Sequence, residues 1–169
     1  MDKEKPENLK KQLEDQYDKF AAKTQEIYKS GRDKTKEALE KAIETAKEQL
    51  TESGAFSSEQ GEKFKQYLKR DLAQTSEQLQ QLGGEAKEYL KSDRLRTGAL
   101  SSLSAILNKA EAGLKFLRKK TDAFLIYKTG EITTAGPLTC VECNKTINLK
   151  KTGHIPPCPS CSKTKFRKG

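Results

Sequence analysis

The sequence contains no tryptophan, one methionine and one histidine, and only 33% of its 169 residues are hydrophobic. So small an apolar fraction does not build a globular core of ordinary size, whereas long helices packed along narrow seams need fewer apolar residues. No apolar run approaches the roughly 20 residues that a helix needs to cross a bilayer. The composition therefore favours a helical protein without a membrane span.

Sequence signatures of common enzymes and cofactor sites are missing too. Because the only histidine, His154, lies near the C-terminus, the helical part lacks the Glu-x-x-His pairs of a ferritin-like di-iron site. The glycine pair Gly83-Gly84 is too short to be a phosphate-binding loop. No nucleophile with a neighbouring base is evident, so we expect a protein that is not an enzyme.

The N-terminal sequence MDKEKPENLK lacks the apolar core of a secretion signal. We therefore expect a cytoplasmic protein. Thiols stay reduced in the cytoplasm, so the four cysteines of the chain favour metal binding over disulfides.

Apolar and small side chains recur every three or four residues over most of residues 1–128, which predicts amphipathic helices. The pattern weakens around Gly31, where a bend or break is expected, and Gly83-Gly84 is expected to interrupt a later helix. Gly54 suits a helix C-terminus, and Ser57 followed by Gln60 suits a helix start. The stripes comprise Leu9, Leu13, Tyr17, Phe20, Thr24, Ile27, Ala38, Ala42, Ala46 and Leu50, then Phe64, Leu68, Leu72, Ser76 and Leu79, then Leu100, Leu103, Leu107, Ala110, Leu114, Leu117, Thr121 and Phe124.

Each predicted helix has one narrow apolar face and so requires a partner helix. We expect a mainly α fold, in which long amphipathic helices form a hairpin or three-helix arrangement and a small β zinc ribbon follows. The predicted units are a coiled-coil-like helical region over residues 1–128 and a zinc ribbon over residues 129–169. Because the apolar seams exclude the ribbon, we expect the two units to fold independently.

The four cysteines form two C-x-x-C pairs separated by 14 residues. A C-x-x-C turn aims two sulfurs at one ion while backbone N–H groups point at the sulfurs, and two such knuckles give tetrahedral S₄ coordination. In the spacer, residues 146–149 suit a strand and Thr152-Gly153 suits a turn. We predict a zinc ribbon that holds one structural Zn²⁺ with no open position for catalysis. Its ligands are Cys140, Cys143, Cys158 and Cys161.

Other uses of the cysteines have less support. Iron in the same geometry, as in rubredoxin, lacks an aromatic shell here, and thioredoxin-like chemistry needs a C-x-x-C that opens a helix in an α/β fold. After the two knuckles, Asn144 tolerates a left-handed backbone, whereas Ser162 is less suited to it. We interpret His154 as an exposed or locally hydrogen-bonded residue, because its ligation would displace one cysteine.

Four segments resemble a bacterial family of zinc-ribbon-containing proteins with a helical N-terminal region and a C-terminal ribbon. They are GAFSSEQ, LKRDL at residues 68–72, TGEITTAGPLTCVEC and IPPCPSC. The similarity is good from about Tyr127 onward and patchy over residues 1–50 and 83–110, and Ser162 stands where the family often has glycine. The resemblance implies a largely helical first part and zinc ligation by the four cysteines, and it implies no particular activity.

Positive charge is concentrated in the predicted ribbon, where residues 129–169 carry seven Lys/Arg and two Asp/Glu. Such charges contact phosphates without reading sequence, and only Phe166 and His154 offer ring faces for stacking. One hypothesis is that the ribbon binds nucleic acid or a ribosome-like ribonucleoprotein surface without base specificity. The candidate contacts are Lys145, Lys150, Lys151, Lys163, Lys165, Arg167 and Lys168.

The alternative hypothesis is a helical scaffold. In that case the seams of residues 6–127 bind a protein partner or a second copy of the chain, and the zinc ribbon is a structural cap. The basic residues of the ribbon would then be an ordinary solvated surface.

Overall fold

The computed structural model describes residues 4–91, 98–109 and 125–168. Long helices precede short strands, which confirms the predicted fold class. The helices are α1 (Glu4–Ser30), α2 (Lys36–Glu52), α3 (Ser58–Lys91) and α4 (Gly98–Lys109). Within the described residues, none of these helices combines the length and the apolar character of a membrane-spanning segment.

The chain breaks between α1 and α2 at Gly31, where the weakened periodicity predicted a bend or a break. α1 ends at Ser30, and α2 begins after Thr35, whose hydroxyl accepts a hydrogen bond from the N–H of Ala38 at 3.2 Å. This break gives four helices in the described residues, where a hairpin or three helices had been expected.

The turn between α2 and α3 has the predicted chemistry. Gly54 adopts a φ of 77°, and the N–H groups of Gly54 and Ala55 donate to the carbonyls of Thr51 and Leu50 at 3.1 and 2.9 Å. These two bonds form a Schellman motif, which satisfies carbonyls at the end of a helix. The hydroxyl of Ser57 then accepts from the N–H of Gln60 at 3.2 Å and caps α3.

The predicted interruption at Gly83-Gly84 is wrong, because α3 continues through both residues to Lys91. A glycine lowers helix propensity by about 1 kcal/mol relative to alanine, which does not by itself end a helix of this length. Leu100, Leu103 and Leu107 of the third predicted stripe are buried on α4. Five members of this stripe lie outside the described residues: Ala110, Leu114, Leu117, Thr121 and Phe124. The side chain of Leu79, from the second stripe, lies outside them too.

The helices pack around an aromatic cluster. Tyr17 lies 5.7 Å from Phe64, and Phe56 lies 5.2 Å from Phe64 and 6.1 Å from Phe20, measured between ring centroids. Of the predicted stripe on α1, Leu9 is the exception, because 56% of its surface is exposed. The helical core also includes Leu39, Ala42, Ile43, Leu68, Leu72, Leu103 and Ile106.

Six short strands form two antiparallel sheets. The strands are β1 (Tyr127–Lys128), β2 (Ile132–Thr133), β3 (Gly136–Cys140), β4 (Thr146–Leu149), β5 (Gly153–His154) and β6 (Lys165–Lys168). One sheet has the order β1-β6-β3-β4, and the other pairs β2 with β5. β4 confirms the strand predicted in the spacer between the cysteine pairs. β4 and β5 enter different sheets, so the spacer does not form a hairpin of its own.

The ribbon has a small core that includes two of the cysteines. Tyr127 lies opposite Phe166, and Phe166 lies opposite Cys140, so inward-facing side chains of β1, β6 and β3 meet on one side of the sheet. Ile155 and Cys158 pack against them from the segment that follows β5.

The ribbon contacts the helices directly, and this corrects the expectation that the helical seams exclude it. Ile132 of β2 belongs to the helical core, together with Tyr17 and Leu72. The strand Tyr127–Lys128, which we had assigned to the helical region, pairs with β6 in the ribbon sheet. The division into residues 1–128 and 129–169 stays a prediction.

Candidate metal centre

The two C-x-x-C knuckles have the same backbone structure. In the first, the N–H of Cys140 donates to the carbonyl of Lys145 at 2.9 Å, and the N–H of Asn144 donates back to the carbonyl of Cys140 at 3.0 Å. The second knuckle repeats both bonds between Cys158, Lys163 and Ser162, at 2.9 Å each. Asn144 and Ser162 have φ angles of 58° and 60°. The prediction for Asn144 is confirmed, and Ser162 adopts the same conformation although serine is less suited to it.

The knuckles face each other and bring the four sulfurs together. All four Sγ atoms lie within 4.8 Å of one another. The Sγ atoms of Cys140 and Cys161 are 3.6 Å apart, and those of Cys143 and Cys158 are 3.5 Å apart. A disulfide has a sulfur–sulfur distance of about 2.05 Å, so none of the four cysteines forms a disulfide in this structure.

The arrangement fits a tetrahedral zinc ion. With Zn–S bonds of about 2.3 Å, the sulfurs of a tetrahedral site lie about 3.8 Å apart, which is close to the observed separations. Four cysteines fill the four positions of the ion, so no place is left for water or substrate. The four cysteines form a zinc-ribbon site consistent with one structural Zn²⁺.

The thiols by themselves differ in acidity. Burial raises the pKa of Cys158, but hydrogen bonds from the N–H groups of Cys161 and Ser160 and from the thiols of Cys143 and Cys161 together lower that pKa to about 7. For Cys161, the N–H of Lys163 lowers the pKa, whereas burial and the neighbouring sulfurs raise it to about 12. Adjacent thiolates repel one another, and a divalent cation at their centre stabilises all four in the deprotonated form.

His154 lies apart from the sulfurs, on β5. Its backbone N–H donates to the carboxylate of Glu14 at 3.0 Å, and its ring Nδ1 lies 2.9 Å from the same oxygen. The prediction of an exposed or locally hydrogen-bonded residue is therefore wrong, because His154 is partly buried and its partner lies 140 residues away on α1. This contact leaves the zinc site to the cysteines.

Six of the seven predicted basic residues are exposed. On β6, Lys165 and Arg167 point away from the ribbon core, since Phe166 and Lys168 between them are buried. Lys128 of β1, which the sequence analysis did not select, lies directly opposite Lys165. We call this side of the sheet the outer face. It comprises Lys128, Pro137, Thr139, Thr146, Asn148, Lys165 and Arg167.

Lys168 is the exception, and we remove it from the predicted phosphate contacts. Its ammonium is buried and donates to the hydroxyls of Thr133 and Thr134, at 2.9 and 2.5 Å, and to the carbonyl of Thr134 at 2.8 Å. All three N–H bonds are thus used inside the protein. Side chains alternate between the two faces of the sheet along β6, and this alternation turns Lys168 inward. A count of charges in the sequence does not distinguish Lys168 from its exposed neighbours.

The sequence analysis missed a group of buried polar residues where the helices meet the ribbon, above all Arg70 and Asp71. A signal for them was present. Asp71 stands three residues after Leu68 and next to Leu72, so it lies on the apolar stripe of α3, where a carboxylate requires buried partners. Both residues also belong to the segment LKRDL that carried the family resemblance.

Comparisons with known proteins agree with the geometry of the site. A family model described as a zinc-ribbon containing domain, DUF1451, matches residues 25–169 and so covers most of the helical part as well as the ribbon. Comparisons with curated proteins and with solved structures gave no match. The chain therefore belongs to the family of zinc-ribbon containing domains.

Proposed function

We propose that this chain is a non-enzymatic zinc-ribbon protein whose outer face binds the phosphate backbone of nucleic acid without reading base sequence. One observation carries the proposal. Lys128, Lys165 and Arg167 project from adjacent positions of the outer face, and no acidic residue shares that face in the described strands.

The spacing of these cations suits a polyanion. Lys165 and Arg167 are two residues apart on one strand, about 7 Å, and Lys128 lies across from Lys165 at about 5 Å. Lys128, Lys165 and Arg167 form no ion pair with the described residues, and three cations so close together attract phosphate groups at low and moderate salt. Thr139, which lies opposite Arg167, adds a hydroxyl that can contact phosphate or sugar oxygens.

The same face supports binding without base specificity. It holds no aromatic side chain among the described strand residues, so bases find no surface on which to stack. Phe166, one of the two rings considered from the sequence, is buried in the ribbon core. Backbone contacts position a nucleic acid but carry no sequence information.

We also propose that the protein is cytoplasmic and has no catalytic activity. A zinc ion with four cysteine ligands lacks the open position that a catalytic zinc requires. Four reduced thiols are the normal state of cysteine in the cytoplasm.

The scaffold hypothesis has less support than nucleic-acid binding. In the part of the chain that the structure describes, the helical seams that were to bind a partner are occupied by contacts among α1, α2, α3 and α4, and Leu107 of the third stripe is buried there. Leu9 and Val141 are the exposed large hydrophobic residues of the described part, and they lie on α1 and in the first knuckle. Two such isolated residues do not form an interaction patch.

Fluorescence anisotropy with a labelled single-stranded RNA and a labelled DNA duplex tests the proposal. The variant Lys165→Glu/Arg167→Glu should weaken binding of both probes strongly. The matched control Lys10→Glu/Lys11→Glu makes the same charge change on the exposed side of α1 and should leave most of the affinity. For wild type, log K should fall with log salt by about 0.7–0.9 per phosphate contact, and the outer-face variant should lose about two contacts from that slope.

Two results would contradict the proposal. An equal loss in both double variants would show that binding follows net charge alone. No detectable binding of either probe at low salt would favour the scaffold. Zinc content should be unchanged in all variants, because none of the substituted residues is a ligand.

A further inference from the structure

The helices and the ribbon meet through buried polar groups centred on Asp71. This carboxylate is 1% exposed, yet it accepts hydrogen bonds from the hydroxyl of Tyr17 at 2.6 Å and from that of Thr133 at 2.9 Å. Asp71 therefore joins α3 to α1 on one side and to β2 of the ribbon on the other.

Arg70 extends this contact across the ribbon. Its guanidinium bonds to the carboxylate of Glu131 and to the carbonyl of Ile132, the latter at 3.0 Å, and lies 3.9 Å above the ring of Tyr127. These three partners of Arg70, and the Thr133 partner of Asp71, are in position only when β1 and β2 are in place. Burying a charge is tolerable when its partners are in position and costly when they are not.

The end of β6 completes the interface. The backbone carbonyl of Lys168 accepts from the side chain of Gln74 on α3 at 2.6 Å, while its ammonium bonds to Thr133 and Thr134. In β1 and β6, residues that contact the helices are thus direct neighbours of residues in the core around the zinc site. Phe166 stands two positions before Lys168, and Tyr127 lies under the guanidinium of Arg70. Phe166 and Tyr127 both belong to the ribbon core that includes Cys140.

A second contact lies on α1. Asp18 accepts from the hydroxyl of Thr152 at 2.6 Å and from the N–H of Ala99, the second residue of α4, at 2.7 Å. One carboxylate therefore holds both the ribbon and the start of α4. One turn earlier on α1, Glu14 binds His154. Ile155, which follows His154 in the chain, packs against Cys158 in the ribbon core.

We propose that zinc binding controls the docking of the ribbon onto α1 and α3, so that loss of the metal loosens the helices as well as the ribbon. The ribbon core is too small to fold without its metal. When β2 and β6 lose their positions, Asp71, Arg70 and Gln74 lose their ribbon partners together, and Asp71 keeps its bond from Tyr17. Among the described residues, Ile132 is the one ribbon residue that belongs to the buried helical core.

The coupling works in both directions. If docking stabilises the metal-bound ribbon, zinc binding and docking strengthen each other by the same factor. A variant that weakens docking must therefore also bind zinc less tightly. Coupling between sites of this kind typically changes affinity by about 5–150-fold. The metal state of the ribbon would then decide whether the polar side of α3 around Asp71 is covered or open to solvent.

Hydrogen–deuterium exchange of the full chain, zinc-loaded and after chelation, tests the first direction. We expect the amides around residues 14–21 and 66–76 to exchange faster without zinc, along with those of the ribbon. The last turns of α2, around residues 44–49, in which Glu48 and Gln49 are exposed and Ala46 is buried, provide an internal reference. Faster exchange confined to residues 125–168 would overturn the proposal.

Competition with a chromophoric zinc chelator tests the second direction. Asp71→Asn and Thr133→Val, which keep the shape of each side chain, should each lower zinc affinity at least about five-fold. The control Asp15→Asn removes an exposed carboxylate of α1 and should bind zinc as wild type does. If Asp71→Asn loses its helical circular dichroism, Thr133→Val carries the comparison. Wild-type affinity in both folded variants would overturn the coupling.

Discussion

At the scale of single residues, Lys168 shows how burial changes the chemistry of a side chain. Burial lowers the pKa of Lys168 to about 8, and the nearby Asp71 carboxylate opposes that shift. Its three hydrogen-bond acceptors are neutral oxygens of Thr133 and Thr134. The N–H groups of Lys168 are therefore all hydrogen-bonded, but burying its positive charge without a direct counter-ion costs free energy.

The lowered pKa of Lys168 makes stability depend on pH. Between about pH 8 and the usual lysine value of 10.5, the unfolded chain keeps a proton that the folded chain has released, so the free energy of unfolding rises with pH. Lys168→Met should reduce this rise by about 2 kcal/mol between roughly pH 7.5 and pH 9.5. Urea unfolding of the zinc-loaded protein measures it.

The comparison between variants isolates this lysine, because cysteines of the unfolded chain titrate equally in all of them. The control Lys165→Met removes an exposed lysine of the same strand and should keep the full rise. Above about pH 10 stability should fall again, since burial raises the pKa values of Tyr17 and Tyr127 well above their usual range. The same pH profile in Lys168→Met and wild type would contradict this explanation.

At the scale of elements, the two knuckles are the structural unit of the metal site. Each needs one residue in the left-handed conformation directly after its second cysteine, and the chain uses Asn144 in one case and Ser162 in the other. An L-residue pays roughly 1–2 kcal/mol for this conformation, and asparagine tolerates it better than serine. The second knuckle is therefore the more strained of the two.

Ser162→Gly should stabilise the ribbon. Glycine removes the conformational cost but loses more backbone entropy on folding, so a net gain of about 0.5–1 kcal/mol is expected. Thermal unfolding of the zinc-loaded protein, followed by the ribbon signals in NMR spectra, measures the effect. Ser160→Gly, in the same knuckle but without a positive φ, should be neutral or destabilising, and equal effects of the two changes would refute the strain.

Much of each element could be predicted from the sequence because its causes are local. The helical stripes, the Ser57 cap, the glycine at position 54 and the two knuckles each depend on residues a few positions apart. The continuation of α3 through Gly83-Gly84 could not be read in this way. Helix propensity is a weak local preference, and neighbouring turns outweigh it.

At the scale of the whole molecule, the contact between helices and ribbon was not predicted. Asp71 and Thr133 are 62 residues apart, and Glu14 and His154 are 140 apart. The sequence around Asp71 does not identify its hydrogen-bond partners, although the position of Asp71 on an apolar stripe indicates that it is buried. For the same reason Lys168 was counted with the surface charges, because only the packing of β6 on the rest of the ribbon shows that it is buried.

The architecture that results is a helical bundle and a metal-stapled ribbon joined by a polar interface. The outer face of the ribbon carries the exposed Lys128, Lys165 and Arg167, and the inner side holds cysteines of the ribbon core and the contacts to α1 and α3. The two sides share β6, whose residues alternate between them. A closed, four-cysteine zinc site is the feature on which this whole arrangement depends.

X-ray absorption spectroscopy at the zinc edge, on protein purified under reducing conditions, tests that feature most directly. We predict one zinc per chain, with four sulfur neighbours at about 2.3 Å and no nitrogen or oxygen in the first coordination sphere. A His154 nitrogen, a bound water or fewer than four sulfurs would contradict a closed structural site built from Cys140, Cys143, Cys158 and Cys161.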